Sequence, residues 1–501
     1  MSWPVLLILC VFAVQAQTPG IDGSRLRAHV RFLASDLLEG RAVGTRGGQV
    51  ATQYLASALE AAGAKGAGEG GSFFQEVPLT GVKVDADSSL KIGTTTLKWR
   101  EQFVATTQTQ EPLLDFSAPL VFAGHGIRAP EYGWDDYARV DVRGKIVVLF
   151  TGEPPSEDPK FFQGAALTYY GRWSYKFEEA TRQGAAGVII IHTPETASYA
   201  WSVVENSWGR EDIQLRLGVG QTALRIAGWI TSAAAQAAGW NVEEMLAKAN
   251  RVGFEAVPLE AVATVRMRSA LRPILSQNVV ARIEGTDPKV KQEHIVFSAH
   301  WDHLGGTDGG LGRDEIFNGA VDNATGCALL VELARAWAAL SPRPRRSVLF
   351  LAVTAEESGL LGSEYYVRHP LVPLTATRLG INLDAIVPGG RPGGVIVHGE
   401  RTAESWPLVE EAANRMRLAI RDDPKPEAGS QFRSDHFSFN KAHVAAYSLV
   451  PFRVPGAFSE IYGANRYHQV SDEYSSDWDM TSNETMGNLA LLLGVNAASR
   501  P

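Results

Sequence analysis

The chain has 501 residues, 45% of them hydrophobic and 20% charged, which is the balance of an ordinary globular protein with ample material for large cores. Its length suggests roughly two to four domains. A net charge of -8 with no long basic run argues against nucleic acid or an anionic membrane as a partner.

Residues 1–16 read as an export signal, with the apolar run Val5 to Val14 followed by Gln15-Ala16, a small residue at the cleavage position. The run falls short of the ~20 residues that span a bilayer, and nothing later is longer, so no stable membrane span is expected. The protein is predicted to be exported, to the periplasm or outside the cell. Of the two cysteines, Cys10 lies in the signal and Cys327 stands alone, so the mature chain has no internal disulfide and must rely on core burial and metal.

Apolar spacing predicts helices through Leu26, Val30, Leu33 and Leu37, and through Ala51, Tyr54, Leu55, Ala58 and Leu59, joined by a glycine-rich loop from Glu39 to Gly48. Short strand-like pieces follow from Phe73 to about Phe116. Further apolar strands are predicted at Leu120 to Gly126, Lys145 to Phe150 and Gly187 to His192, with one helix between Ser174 and Gln183. This region runs to about Leu271 and offers no metal cluster or nucleophile, with His125 and His192 read as structural. From Asn278 strands and helices alternate, which predicts a helix-covered, mainly parallel sheet. Arg343-Pro-Arg-Arg346 reads as a solvated loop before a strand, and Thr481-x-x-Glu484 as a capping box on the last helix.

The chemistry-bearing residues lie in this last part. Val348 to Thr354 reads as a strand buried on both faces, ending on Glu356-Glu357, and ligands gather at the carboxyl ends of such strands. Two adjacent carboxylates there are either a solvated loop start or one metal ligand beside one general base. The strand Ile295 to Ser298 leads into His300-Trp-Asp302-His303, where Asp302 can accept from the second ring nitrogen of His300, although a lone His-x-Asp is more often a satisfied polar pair. Asp322, before a helix from about Ala324, is either an N-cap or a carboxylate shared by two cations. Asp384 ends another strand, and Tyr467-His468 lies in a polar loop. Cys327 reads as a packing residue. Each of these residues has an ordinary structural explanation, but together they lie at loop edges that one sheet could gather. Three negative charges from Asp322, Glu357 and Asp384 against two divalent ions leave room for one hydroxide, and zinc suits mixed imidazole and carboxylate donors.

With His300-x-Asp302, Asp322-Asn-x-x-Gly326, Glu356-Glu357, Asp384 and Tyr467-His468 in this order, the chain resembles the co-catalytic zinc exopeptidases of the bacterial aminopeptidase and glutamate carboxypeptidase type. Its middle region, through Gly126 to Asp136 and Asp141 to Val148, resembles their inserted protease-associated domain. The resemblance implies an α/β fold with a β-rich insertion and the layout 1–16 signal peptide, 17–115 and 272–501 peptidase domain, 116–271 inserted domain. It implies two Zn2+ ions, one held by His300 and Asp384, the other by Glu357 and His468, with Asp322 bridging. Asp302 would support His300, Glu356 would be the general base, and Tyr467 the donor to the tetrahedral oxyanion. Ser434-Asp435-His436 would support a loop near the site. The expected activity is removal of the N-terminal residue from peptides with a free amino terminus.

Alternatives of the same type are a glutamate-type carboxypeptidase, which usually appends a helical domain for which only 33 residues remain after His468, and a glutaminyl cyclase, which typically lacks the insertion. A receptor-like protein with a degenerate site is the alternative from another class, and the intact ligand set argues against it. No signal for an oligomeric state is read.

Overall fold

The computed structural model describes residues 20–306 and 314–500. The expected signal segment and Cys10 lie outside these residues. Along the chain, helices α1 (Gly23–Leu33) and α2 (Arg46–Ala61) precede the long strand β1 (Phe74–Val84). A second layer follows, with β2 (Ser89–Ile92), β3 (Phe103–Thr106), β4 (Leu113–Phe122), β5 (Ile146–Phe150), α3 (Trp173–Arg182), β6 (Gly187–His192) and, after β7 (Asp212–Leu215), which pairs back onto β1, β8 (Ile226–Thr231). Strand β9 (Val257–Ile283) then runs through both layers for 27 residues. Its first part pairs with β2 and β4, its last part with β1 and with the sheet that holds the site.

That sheet is completed by β10 (His294–His300), α4 (Gly326–Ala338), β11 (Ser347–Val353), α5 (Leu361–Arg368), β12 (Thr377–Asn382), β13 (Gly394–His398), α6 (Trp406–Arg415), α7 (His436–Lys441), β14 (Ala446–Phe452), α8 (Ala457–Asn465) and α9 (Thr481–Ser499). β10 pairs in parallel with both β11 and β12, and β12 with β14, while β9 and β13 flank this parallel centre antiparallel. The hydrogen-bonded network is mixed, with 17 strands and helices on its faces, as the alternation from Asn278 predicts.

Strand β11 shows why the centre is stable. Val348, Phe350 and Ala352 enter the large core beneath α4 and α9, while Leu349, Leu351 and Val353 enter a separate core with Tyr366 and Phe439 on the opposite face. The strand is therefore buried on both faces, and each of its larger side chains contributes roughly 1.5–3 kcal/mol of burial. Helix α4 buries Leu329, Leu330, Leu333 and Trp337 against the same sheet.

Several local expectations need correction. The glycine-rich link ends early, because its last three residues form the first turn of α2, with the Thr45 hydroxyl accepting from Gly48 N–H at 3.2 Å. The last helix starts at Thr481 rather than behind a capping box. Glu484 Oε1 instead accepts from Gly23 N–H at 2.7 Å, and Asp479 caps with a bond from Thr481 N–H at 2.9 Å. Arg346 is not solvated; it is buried and donates to Glu293 at 2.6 Å, and Arg345 lies 2.7 Å from Asp287. Short helices at Trp201–Trp208 and Val242–Ala249 in the second layer carry too few residues to show a clear period. The expected limits at 116 and 271 both fall inside strands, and β2 and β3 share the core of the second layer. Among the described residues no helix is long and apolar enough to cross a membrane.

Candidate metal centre

The parallel register brings the site together. His300 lies opposite Val353 and Ser298 opposite Asn382, so the segments leaving β10, β11 and β12 emerge side by side at one sheet edge. These segments carry His300 to His303, Glu356-Glu357 and Asp384. His300 is the last residue of its strand rather than one just beyond it.

Asp322 arrives from across the edge, in the irregular turn Ala320–Thr325 before α4. It is not the N-cap of α4. Its neighbour Asn323 fixes the turn: Asn323 Oδ1 accepts from Gly326 N–H at 2.9 Å, and its amide donates to Leu383 O at 3.0 Å, next to Asp384. A Cβ at Gly326 would lie 2.2 Å from Asn323 Oδ1 and 2.3 Å from Leu383 O, so only glycine fits this close approach. Buried Asp472 holds the other side, accepting from the backbone N–H of Val321 at 3.0 Å and of Asp322 at 3.1 Å.

The two carboxylate oxygens of Asp322 face two separate donor pairs. Oδ1 lies 3.2 Å from His300 Nε2, which is 3.1 Å from Asp384 Oδ1. Oδ2 lies 3.2 Å from His468 Nε2, which is 3.1 Å from Glu357 Oε2. Donors bound tetrahedrally to zinc at ~2.0–2.1 Å stand about 3.3 Å apart. The five side chains therefore fit two such ions sharing Asp322. Gathered without cations, their carboxylates would repel one another strongly in a buried place.

His303, for which the sequence motif alone implies no role, belongs here too. Its Nδ1 donates to Glu357 Oε1 at 2.6 Å, closer than the ligand-to-ligand spacing, so it acts as a hydrogen-bond support for Glu357. Asp302 is placed differently from expectation. Its carboxylate is 4.0 Å from His300 Nδ1, which instead lies 3.2 Å from the Asp302 carbonyl oxygen, and Asp302 Oδ1 accepts from Glu356 N–H at 3.2 Å. Asp302 thus positions the segment carrying Glu356, and His300 is oriented by backbone.

The adjacent glutamates differ in surroundings. Glu357 is engaged by both His303 and His468, while Glu356 lies within 4.8 Å of the ligand atoms of His300 and Glu357. Burial, and then the charges of Asp384, Glu357 and Asp435, push the Glu356 carboxyl well above the usual range. For Glu357, burial is outweighed by nearby histidines, which hold it down at about 2. Tyr467 is 39% exposed and stacks on the His468 ring at 4.0 Å, so its ring is not packed away in a core.

Further supports carry no motif of their own. Ser434, assigned only to loop support, donates to Asp384 Oδ2 at 2.5 Å. Arg41, 1% exposed, donates through Nε to Trp301 O at 2.9 Å, through Nη1 to Leu33 O and Asn318 O at 2.5 Å each, and through Nη2 to Gly319 O at 2.9 Å. It thereby ties together the loops bearing His300 and Asp322. Arg172, from the second layer, has a buried Nε without a hydrogen-bond partner among the described residues, and burial followed by the charge of Arg433 lowers its pKa. His125 and His192 are structural as expected, paired with Asn250 and Tyr199 O. Cys327 is buried, with Sγ 3.1 Å from His300 O.

Residues 278–493 match the model of peptidase family M28. Among curated proteins, the mouse (Mus musculus) aminopeptidase NAALADL1 is 31% identical over 144 residues, 27% of this chain and 17% of that protein. A glutamate carboxypeptidase 2 homolog of Caenorhabditis elegans is 26% identical over 204 residues, 39% of this chain and 23% of that one. The chain thus spans less than a quarter of the length of these relatives. Among solved structures, an aminopeptidase from Aneurinibacillus sp. strain AM-1 superposes with a TM-score of 0.54 at 21% identity, covering 97% of this chain and 95% of the other, and shares the fold.

Proposed function

We propose, from the match of residues 278–493 to the model of peptidase family M28, that this protein is an exported di-zinc aminopeptidase. The observation that carries the reading is the division of the Asp322 carboxylate between the pair His300 and Asp384 and the pair His468 and Glu357. Zinc held there by His300, Asp384, Asp322, Glu357 and His468 would supply Lewis acidity for the scissile carbonyl and would lower the pKa of the attacking water. Glu356 takes a proton from that water and delivers it to the leaving amine, a contribution of about 10²–10⁴ in rate. Glu357 does not share this work, because His303 and His468 occupy its oxygens. Tyr467, at the rim beside His468, donates to the oxyanion as it forms. Export rests on the apolar segment Val5 to Val14 before Ala16.

Arg172 and Arg433 favour a second reading. A half-buried arginine whose buried Nε has no hydrogen-bond partner among the described residues, and which feels the charge of a second arginine, suits a substrate carboxylate, as a glutamate-type carboxypeptidase requires. Two substrate sets, each with and without a chelator, separate the readings. Release of p-nitroaniline from unblocked aminoacyl p-nitroanilides, abolished by the chelator, is expected. Cleavage confined to N-acetylated peptides with a free carboxyl terminus would select the second reading. Inactivity on every peptide, by protein shown to hold two zinc ions, would sink the hydrolase assignment.

A further inference from the structure

Ser434 is the hydroxyl that fixes Asp384, donating to its Oδ2 and accepting from Asn382 Nδ2 at 2.6 Å. The stretch that carries it, from Pro426 to Phe437, consists of two 3-10 turns and the first residues of α7. Its own backbone bonds are short-range turns, such as Arg433 N–H to Ser430 O at 3.1 Å and Phe437 N–H to Ser434 O at 3.0 Å. The second layer adds contacts from outside the stretch. The Tyr169 ring lies 5.8 Å from that of Phe432 and 4.7 Å from that of Phe437, which stand on either side of Ser434. Leu167 N–H donates to Pro426 O at 3.1 Å. The Tyr169 hydroxyl donates to Glu178 at 2.7 Å, and Lys441, at the end of α7, donates to the same Glu178 oxygen at 2.7 Å.

We infer that Tyr169 is a positioning residue of the metal centre, acting across the two layers through Ser434 on Asp384. The second layer on this account is part of what makes one ion site, and not only a cover over it. A hydrogen bond to a ligand carboxylate sets the direction of its lone pairs, and losing such a partner typically weakens metal binding 10–100-fold. Aromatic contacts on both sides of Ser434 give Tyr169 the leverage to hold that partner in place.

The inference rests on the proposed role of Asp384 as a zinc ligand, and the test separates the two. Zinc binding to the chelator-stripped, full-length protein is measured by competition with a chromophoric chelator, so activity is not the readout. Tyr169→Ala is expected to bind one of its two ions about 10-fold more weakly, while Tyr169→Phe, which keeps the ring, stays near wild type. Tyr169→Ala combined with Ser434→Ala is expected to bind no more weakly than Ser434→Ala alone, because both act along one line of contacts. Wild-type affinity in Tyr169→Ala, or fully multiplicative losses in the double variant, would overturn the inference. Failure of the wild-type protein to bind zinc would instead overturn the metal assignment. If Tyr169→Ala does not fold by circular dichroism, Phe432→Leu carries the same test, with weakened binding of one ion expected and unchanged binding refuting.

Discussion

Replacing Arg41 by Met keeps most of the side-chain volume and removes four hydrogen bonds to the carbonyls of Leu33, Trp301, Asn318 and Gly319. Bonds from a charged donor contribute about 1.5–3 kcal/mol each, which sets an upper bound of ~6–12 kcal/mol. Met escapes the desolvation that a buried guanidinium suffers, so the net loss falls to about 3–5 kcal/mol, the range for leaving buried partners unpaired. In a chain of this size, unfolding as one unit, that lowers Tm by about 3–5 °C. Three of the four carbonyls lie in the loops between His300 and Asp322, so the rise in Tm that zinc gives the stripped protein should also shrink. The assay is thermal melting of wild type, Arg41→Met and Arg41→Lys, each stripped and zinc-loaded. Lys, with three donors on a point charge, should recover only part of the loss. An Arg41→Met protein that melts like wild type in both states would refute the reasoning.

Glu356→Gln should keep its zinc content while kcat falls by roughly 10² or more, whereas Glu357→Gln should lose metal; equal metal loss by elemental analysis would contradict the division of roles. Gly40→Ala places a Cβ 2.4 Å from Gly305 O and 2.6 Å from Phe317 O, at a φ of +66, so it should destabilise by about 2 kcal/mol or more, read by urea unfolding. Glu293 gives a pH prediction: the hydrogen bond from Arg378, and then that from Arg346, hold its carboxyl at about 2 instead of the usual 4.5. A lowered pKa in the folded state adds stability above about pH 4.5 that disappears as pH falls toward 2, amounting to about 1–2 kcal/mol after solvent screening. Glu293→Gln should therefore flatten that part of the curve of Tm against pH, and an unchanged slope would count against the pairing.

Much of the centre is legible because its chemistry is local in sequence. A both-faces-buried strand ending on Glu356-Glu357 and a His at the end of β10 are readable from runs of apolar residues, and parallel pairing then brings their ends together. What escapes is whatever depends on distant partners. Arg41 looks like part of a flexible glycine-rich loop until the carbonyls of residues 301, 318 and 319 are in place around it. Asp302 reads as a partner for His300 because two-residue spacing allows it, yet the chain turns after β10 and directs the carboxylate to Glu356 N–H. Lys176 carries no pattern at all, although it is fully buried with Nζ donating to Gly152 O at 2.8 Å, and burial pushes its pKa down to about 7. The limits of the second layer are equally hidden, since β9 passes from one layer to the other as one continuous strand.

The tie between α1 and α9 has a consequence in time. Gly23 and Arg27 bond to Glu484 and to Trp478 O, partners made some 450 residues later. At about 5–20 residues per second of synthesis, these two bonds wait about 20–90 s after α1 is made. Every strand of the second layer has meanwhile left the ribosome. Helix α1 thus completes its seat only once α9 is made, and a chain halted before α9 would hold α1 without these two bonds.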